Sequence, residues 1–141
     1  MTIIENLSEL SLQYFALLRQ LSSKYELTLS QTLILLSVPF DGITISELSS
    51  KLGIDISTMT RNIQRVEKKK LLERNQNPND KRSIKIELSK RGSTLTESIN
   101  LEISNNIQKI INQYDLNISN QIKNNLENLS WDIYLFRKNL K

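Results

Sequence analysis

Between Thr44 and Leu88 a short helix with a glycine stop, a sharply two-sided helix and a pair of strands follow one another, and few folds accept that order. Thr44-Ile-Ser-Glu47 has a hydroxyl at a helix N-cap and a glutamate three residues later, the pattern of a capping box. The helix it starts reaches about Leu52, with Leu48 and Leu52 facing inward, and Gly53 supplies the permissive backbone that ends it. Asp55 or Ser57 can cap the next helix, residues 57–70. At 100° per residue Ile56, Met59, Ile63 and Val66 fall on one narrow face. Ser57, Arg61, Gln64 and Lys68 fall opposite, with Thr58 and Arg65 beside them. Residues 72–76 and 83–88 read as strands, the second alternating Ile84, Ile86 and Leu88 with Ser83, Lys85 and Glu87. The run Asn77-Pro-Asn-Asp-Lys-Arg82 between them forms a turn and ends in cations. This layout is a winged helix-turn-helix: mainly α, with a small β-hairpin wing.

Charge supports a polyanion partner. The net charge of +4 is unevenly spread: residues 51–91 hold twelve Lys and Arg against five Asp and Glu, a net +7. The rest of the chain holds seven bases and ten acids, a net −3. Such localisation is the electrostatic footprint of nucleic acid, against the plainer reading of a solvated charged face. With no cysteine and no histidine, disulfides, thiol switches, thiolate or imidazole metal sites and the commonest general base are excluded. No paired acids flank a glycine loop, so the reading is not an enzyme, with no cofactor and no metal. No apolar run approaches the ~18 residues of a membrane span, and residues 1–5 lack a basic leader pattern. A cytoplasmic protein without membrane contact is expected.

The ends of the chain are helical. Apolar residues at 3, 4, 7, 10, 14, 17, 18 and 21 mark a first helix. Ser30 is a plausible N-cap for a short apolar helix over 31–38, ended by Pro39 and Asp41-Gly42. After a turn at Ser89-Lys-Arg-Gly92, residues 93–114 carry the stripe Ile99, Ile103, Ile107, Ile110, Ile111 and Tyr114. Residues 115–117 interrupt, and 118–140 follow with Ile122, Leu126, Leu129, Ile133, Phe136 and Leu140 in a heptad-like seam. A winged-helix core cannot cover this much apolar length. A homodimer built from residues 1–28 and 93–141 is expected, an intramolecular bundle being the alternative. Residues 29–92 would form the DNA-binding region of a single domain.

Leu29-Ser-Gln31, Thr44-Ile-Ser-Glu-Leu-Ser-Ser-Lys-Leu-Gly-Ile54, Ser57-Thr-Met-Thr-Arg61 and Val66-Glu-Lys-Lys-Lys-Leu-Leu72 occur in that order. Asn79-Asp-Lys-Arg82 then leads into Ile86-Glu-Leu-Ser-Lys-Arg-Gly92. Together these runs, over residues 29–92, resemble the MarR family of bacterial transcription regulators. The most specific piece is the Asp-x-Arg wing at Asp80 and Arg82. One departure is Lys70, where the family usually carries glycine. The family's redox-sensing branch uses a cysteine in the first helix, which this chain lacks.

With the two-sided helix in the major groove, Arg61 is the candidate for a bidentate contact to guanine. Ser57, Thr58, Gln64 and Arg65 surround it within reach of base edges or phosphates. Thr60 lies to the side, and Lys68 and Lys69 suit phosphates. The resemblance implies that the wing, Asp80, Lys81 and Arg82, meets the adjacent minor groove, Asp80 orienting the Arg82 guanidinium. The alternative for Asp80 is a turn residue that satisfies its own backbone. It further implies a homodimeric repressor on a pseudo-palindromic double-stranded operator. A small aromatic or lipophilic effector would act at a pocket that Tyr14, Phe15, Arg19 and Tyr25 can line, although ordinary core packing explains those residues too. The competing function is a winged helix used for protein contact, which would place apolar anchors on the outward face.

Overall fold

Thr2, Thr28, Thr44, Asp55 and Asp115 each accept a hydrogen bond from the first turn of a helix, and these caps set the frame of the chain. The structure is a computed structural model and describes residues 1–140. In chain order the elements are α1 (Ile3–Ser23), α2 (Leu29–Ser37), β1 (Ile43–Thr44), α3 (Ile45–Leu52) and α4 (Ile56–Lys68). After them come β2 (Leu72–Gln76), β3 (Ile84–Leu88), α5 (Lys90–Ile111) and α6 (Leu116–Asn139). The strands form an antiparallel sheet of order β1-β3-β2, with Ile43 opposite Ile86 and Arg74 opposite Ile86 on the other side. The chain divides into two compact units, Met1–Ile103 and the residues from Ser104 on.

In the first unit one core joins Ile34, Leu35 and Val38 of α2 and its end to Leu48 of α3. Met59, Ile63 and Val66 of α4, with Leu27, Ile43, Leu71, Leu72, Ile86 and Ile99, complete it. Three of the four residues assigned to the inner face of α4 are therefore inside. Ile56 is not: it is 56% exposed. As the first residue of α4 it stands beyond the last turn that the core covers, a limit that angular periodicity does not see.

Several boundaries differ from the sequence reading. The N-cap of α2 is Thr28, not Ser30: the Thr28 hydroxyl accepts from Gln31 N (3.2 Å) while Gln31 Oε1 accepts from Thr28 N (3.1 Å). Two reciprocal bonds outcompete a lone serine. Strand β1 was not legible, since two residues are too few for any period. The run Ser89–Gly92 is the start of α5 rather than a free turn. Ser89 Oγ accepts from Gly92 N at 2.9 Å and donates to Lys70 O at 2.7 Å. Gly92 is obligatory there, because a Cβ on it would lie 1.9 Å from the Leu71 carbonyl oxygen. That contact lets α5 start against the strand entry.

The exit of α4 is strained. Lys70 has φ +61°, the left-handed conformation that favours glycine, and its N–H reaches Glu67 O at 2.8 Å. The chain keeps this turn with a lysine in it.

In the second unit α6 follows the Asp115 cap, two residues earlier than periodicity suggests, and buries none of its residues. Its seam positions Leu126, Leu129, Ile133 and Phe136 are all exposed. Trp131 and Tyr134 lie with ring centroids 5.3 Å apart, and Lys138 Nζ stands 5.2 Å over the Tyr134 ring.

Candidate nucleic-acid interface

Helix α4 is held from inside and from its ends, which leaves its outward side available. Met59, Ile63 and Val66 are fully buried. At the N-terminus Asp55 gathers the first turn: Oδ1 accepts from Ser57 Oγ (2.6 Å) and Thr58 N (2.9 Å), and Oδ2 accepts from Thr58 Oγ1 (2.7 Å). The Ser57 hydroxyl and the two Thr58 donors hold the Asp55 carboxyl well below the usual carboxylate range. It stays charged at the positive end of the helix dipole. Thr60 Oγ1 donates back to Ile56 O at 2.8 Å. The hydroxyls of Ser57, Thr58 and Thr60 therefore brace the helix, although Ser57 stays exposed.

Arg61, Gln64, Arg65 and Lys68 are all exposed, in the pattern that the sequence predicts. Among the described residues none of their side chains is engaged in a hydrogen bond or ion pair. Lys69 departs from its expected phosphate role. Its ammonium donates to Glu26 O and to Gln31 Oε1 (3.0 Å), fastening the end of α4 to the start of α2.

The hairpin is tied to the same helix. Arg74 of β2 pairs with Glu67 of α4 at 2.8 Å, a link that no local pattern announces because the partners lie on different elements. The Glu67 carboxylate raises the affinity of the Arg74 guanidinium for its proton. At the wing tip Asn77 Oδ1 accepts from Asn79 N (3.0 Å), and Asp80 Oδ1 accepts from Arg82 N (2.9 Å). Asp80 thus shapes the turn through the Arg82 backbone rather than its guanidinium, the alternative that the sequence had left open. Asp80, Lys81 and Arg82 are exposed at this tip.

The MarR family model matches residues 27–84, from the entry of α2 through the wing. Residues 27–84 are a MarR-family domain. The multiple antibiotic resistance protein MarR of Salmonella typhimurium is 35% identical over 82 residues. That match spans 57% of this chain and 57% of the relative, so the chain covers little more than half the length of its curated relatives. Two solved structures share the fold at greater length. The MarR protein from Peptoclostridium difficile has a TM-score of 0.84 at 22% identity, over 100% of this chain and 93% of that one. The MepR–DNA complex of S. aureus has a TM-score of 0.76 at 21% identity, over 94% and 99%.

The expected effector residues, which precede the matched region, do not together line any described cleft. Tyr14 is exposed, with its ring centroid 6.2 Å from that of its neighbour Phe15, and Arg19 is exposed. Tyr25 alone of the four lines a described cleft, an open one of roughly 670 Å³ with Lys90, Arg91, Thr94, Leu95 and Ser98. Its hydroxyl donates to Glu102 Oε2 at 3.1 Å, and Lys24 pairs with the same carboxylate. These two donors lower the proton affinity of Glu102, Lys24 first. Among the described residues no group of His, Cys, Asp and Glu could hold a metal ion, and no helix is long and apolar enough to cross a membrane.

Proposed function

We propose that this chain is a homodimeric, sequence-specific regulator of transcription that binds double-stranded DNA. The carrying observation is the build of α4: three fully buried apolar residues on one side, and exposed Arg61, Gln64, Arg65 and Lys68 on the other. Arg61 lies opposite the buried face and suits a bidentate contact to guanine O6 and N7 in the major groove. Gln64 and Arg65 reach neighbouring base edges or phosphates, and Lys68 serves phosphate attraction. The exposed Arg82 suits a narrow minor groove, with Lys81 beside it and Asp80 holding the turn. The DNA complex of the structurally similar MepR supports this reading.

A second copy covers the apolar faces that α1 and α6 leave exposed, and the dimer reads a pseudo-palindrome with half-sites about one helical turn apart. Bound over a promoter in the cytoplasm, it represses. A small aromatic or lipophilic effector that changes the spacing of the two α4 helices would release it.

Selection of bound duplexes from a random pool tests the reading, since it returns half-site sequence, spacing and symmetry together. Arg61→Ala then weakens the selected duplex by about 1–3 kcal/mol and relaxes one base position, read by gel shift. Unchanged operator affinity in that variant removes Arg61 from base reading. Absence of retardation at low and moderate salt overturns DNA binding.

A further inference from the structure

The first turn of α4 contains an apolar side chain that the core does not use. Periodicity assigns Ile56 to the buried face, yet it is 56% exposed, whereas Met59, one turn on, is fully buried. Around it the polar donors are already committed: the Ser57 and Thr58 hydroxyls both point their protons at Asp55. Ile56 itself is rigidly placed. Its carbonyl accepts from Thr60 Oγ1, and a β-branched side chain in a helix has one dominant χ1. The leading end of α4 therefore presents a fixed hydrocarbon surface, while the donors for hydrogen-bond reading begin at Arg61.

From this placement, and resting on the DNA-binding reading above, we infer that Ile56 is a specificity residue that packs on the C5-methyl group of a thymine in the major groove. The thymine methyl is the one apolar group that a base edge offers there, and an aliphatic side chain recognises it. Contact removes water from both surfaces, and one methyl group is worth about a fourfold change in affinity. Each half-site would be read by two chemistries. Arg61 takes a guanine through charge and hydrogen bonds, and Ile56 takes a thymine through shape and burial.

The test uses full-length protein and the duplexes recovered from the random pool, remade with deoxyuridine for each thymidine in turn. That exchange deletes a methyl and leaves base pairing intact. Wild-type protein should lose about fourfold in affinity at one position per half-site and little elsewhere, measured by fluorescence anisotropy. Ile56→Ala should bind the thymidine duplex more weakly and show no further loss at that position. Ile56→Val, which keeps a branched surface, should retain part of the sensitivity. Equal sensitivity in wild type and Ile56→Ala, or no sensitive position at all, overturns the assignment and leaves DNA binding intact. Failure to recover any duplex overturns both.

Discussion

Helices α4 and α6 carry the same kind of periodic apolar pattern and meet opposite fates. In α4, Met59, Ile63 and Val66 are sealed by α2, α3 and the sheet entry, and an ion pair and a lysine tether fix its far end. In α6, Leu126, Leu129, Ile133 and Phe136 stay exposed and no residue is buried. An apolar stripe is thus a statement of need rather than of where the need is met. One stripe is satisfied by the chain's own core. The other is left exposed, which is why it supports the proposal of a second copy.

The largest effect should come from breaking the satisfied side. Gly92→Ala drives a Cβ into the Leu71 carbonyl and should cost about 3 kcal/mol or more, seen as a lower denaturation midpoint. A neutral outcome would show that α5 can slide away from the strand entry. On the unsatisfied side, Leu126→Asp with Ile133→Asp should convert the proposed dimer to a monomer in sedimentation. The unfolding transition of the winged helix should stay in place, because neither residue supports its core. A dimer that survives both changes would move the interface elsewhere.

Smaller effects sharpen the picture of α4. Lys70→Gly should stabilise the protein by about 1 kcal/mol, since the left-handed backbone at φ +61° is strained only while a Cβ is present. Acid should act through the cap. The folded-state affinity of Asp55 for its proton is lowered, so its contribution is complete above the unfolded value of about 4. It fades as pH falls from there toward the lower folded value. Asp55→Asn should flatten the acid limb of stability against pH, and an unchanged limb would assign that loss to other carboxylates.

Much of this architecture was legible in advance because its causes are local. Thr44 and Glu47, three residues apart, form their box, Gly53 takes the left-handed stop at φ +67°, and Ile86 points inward by simple alternation. Arg61, Gln64, Arg65 and Lys68 face outward because Met59, Ile63 and Val66 face inward on the same rod. The misses have a common origin. Ile56 obeys the period but lies past the edge of the core, and Lys69 looks like a surface cation until Glu26 and Gln31 approach it. For Asp80 the sequence leaves two roles open, and the bond that forms runs to the Arg82 backbone.

Residue order alone determined the succession of the helices and of the two hairpin strands, the capping box at Thr44, the glycine stop at Gly53, the two-sidedness of α4 and the concentration of positive charge on residues 51–91. Each follows from interactions within a few positions of the chain. Tertiary structure alone decided how far the core extends along α4, which cations stay outward and which are tied down, and where a carbonyl leaves no room for a Cβ. Those outcomes depend on groups far apart in the chain, such as Lys69 with Glu26 or Gly92 with Leu71, whose approach no local periodicity encodes.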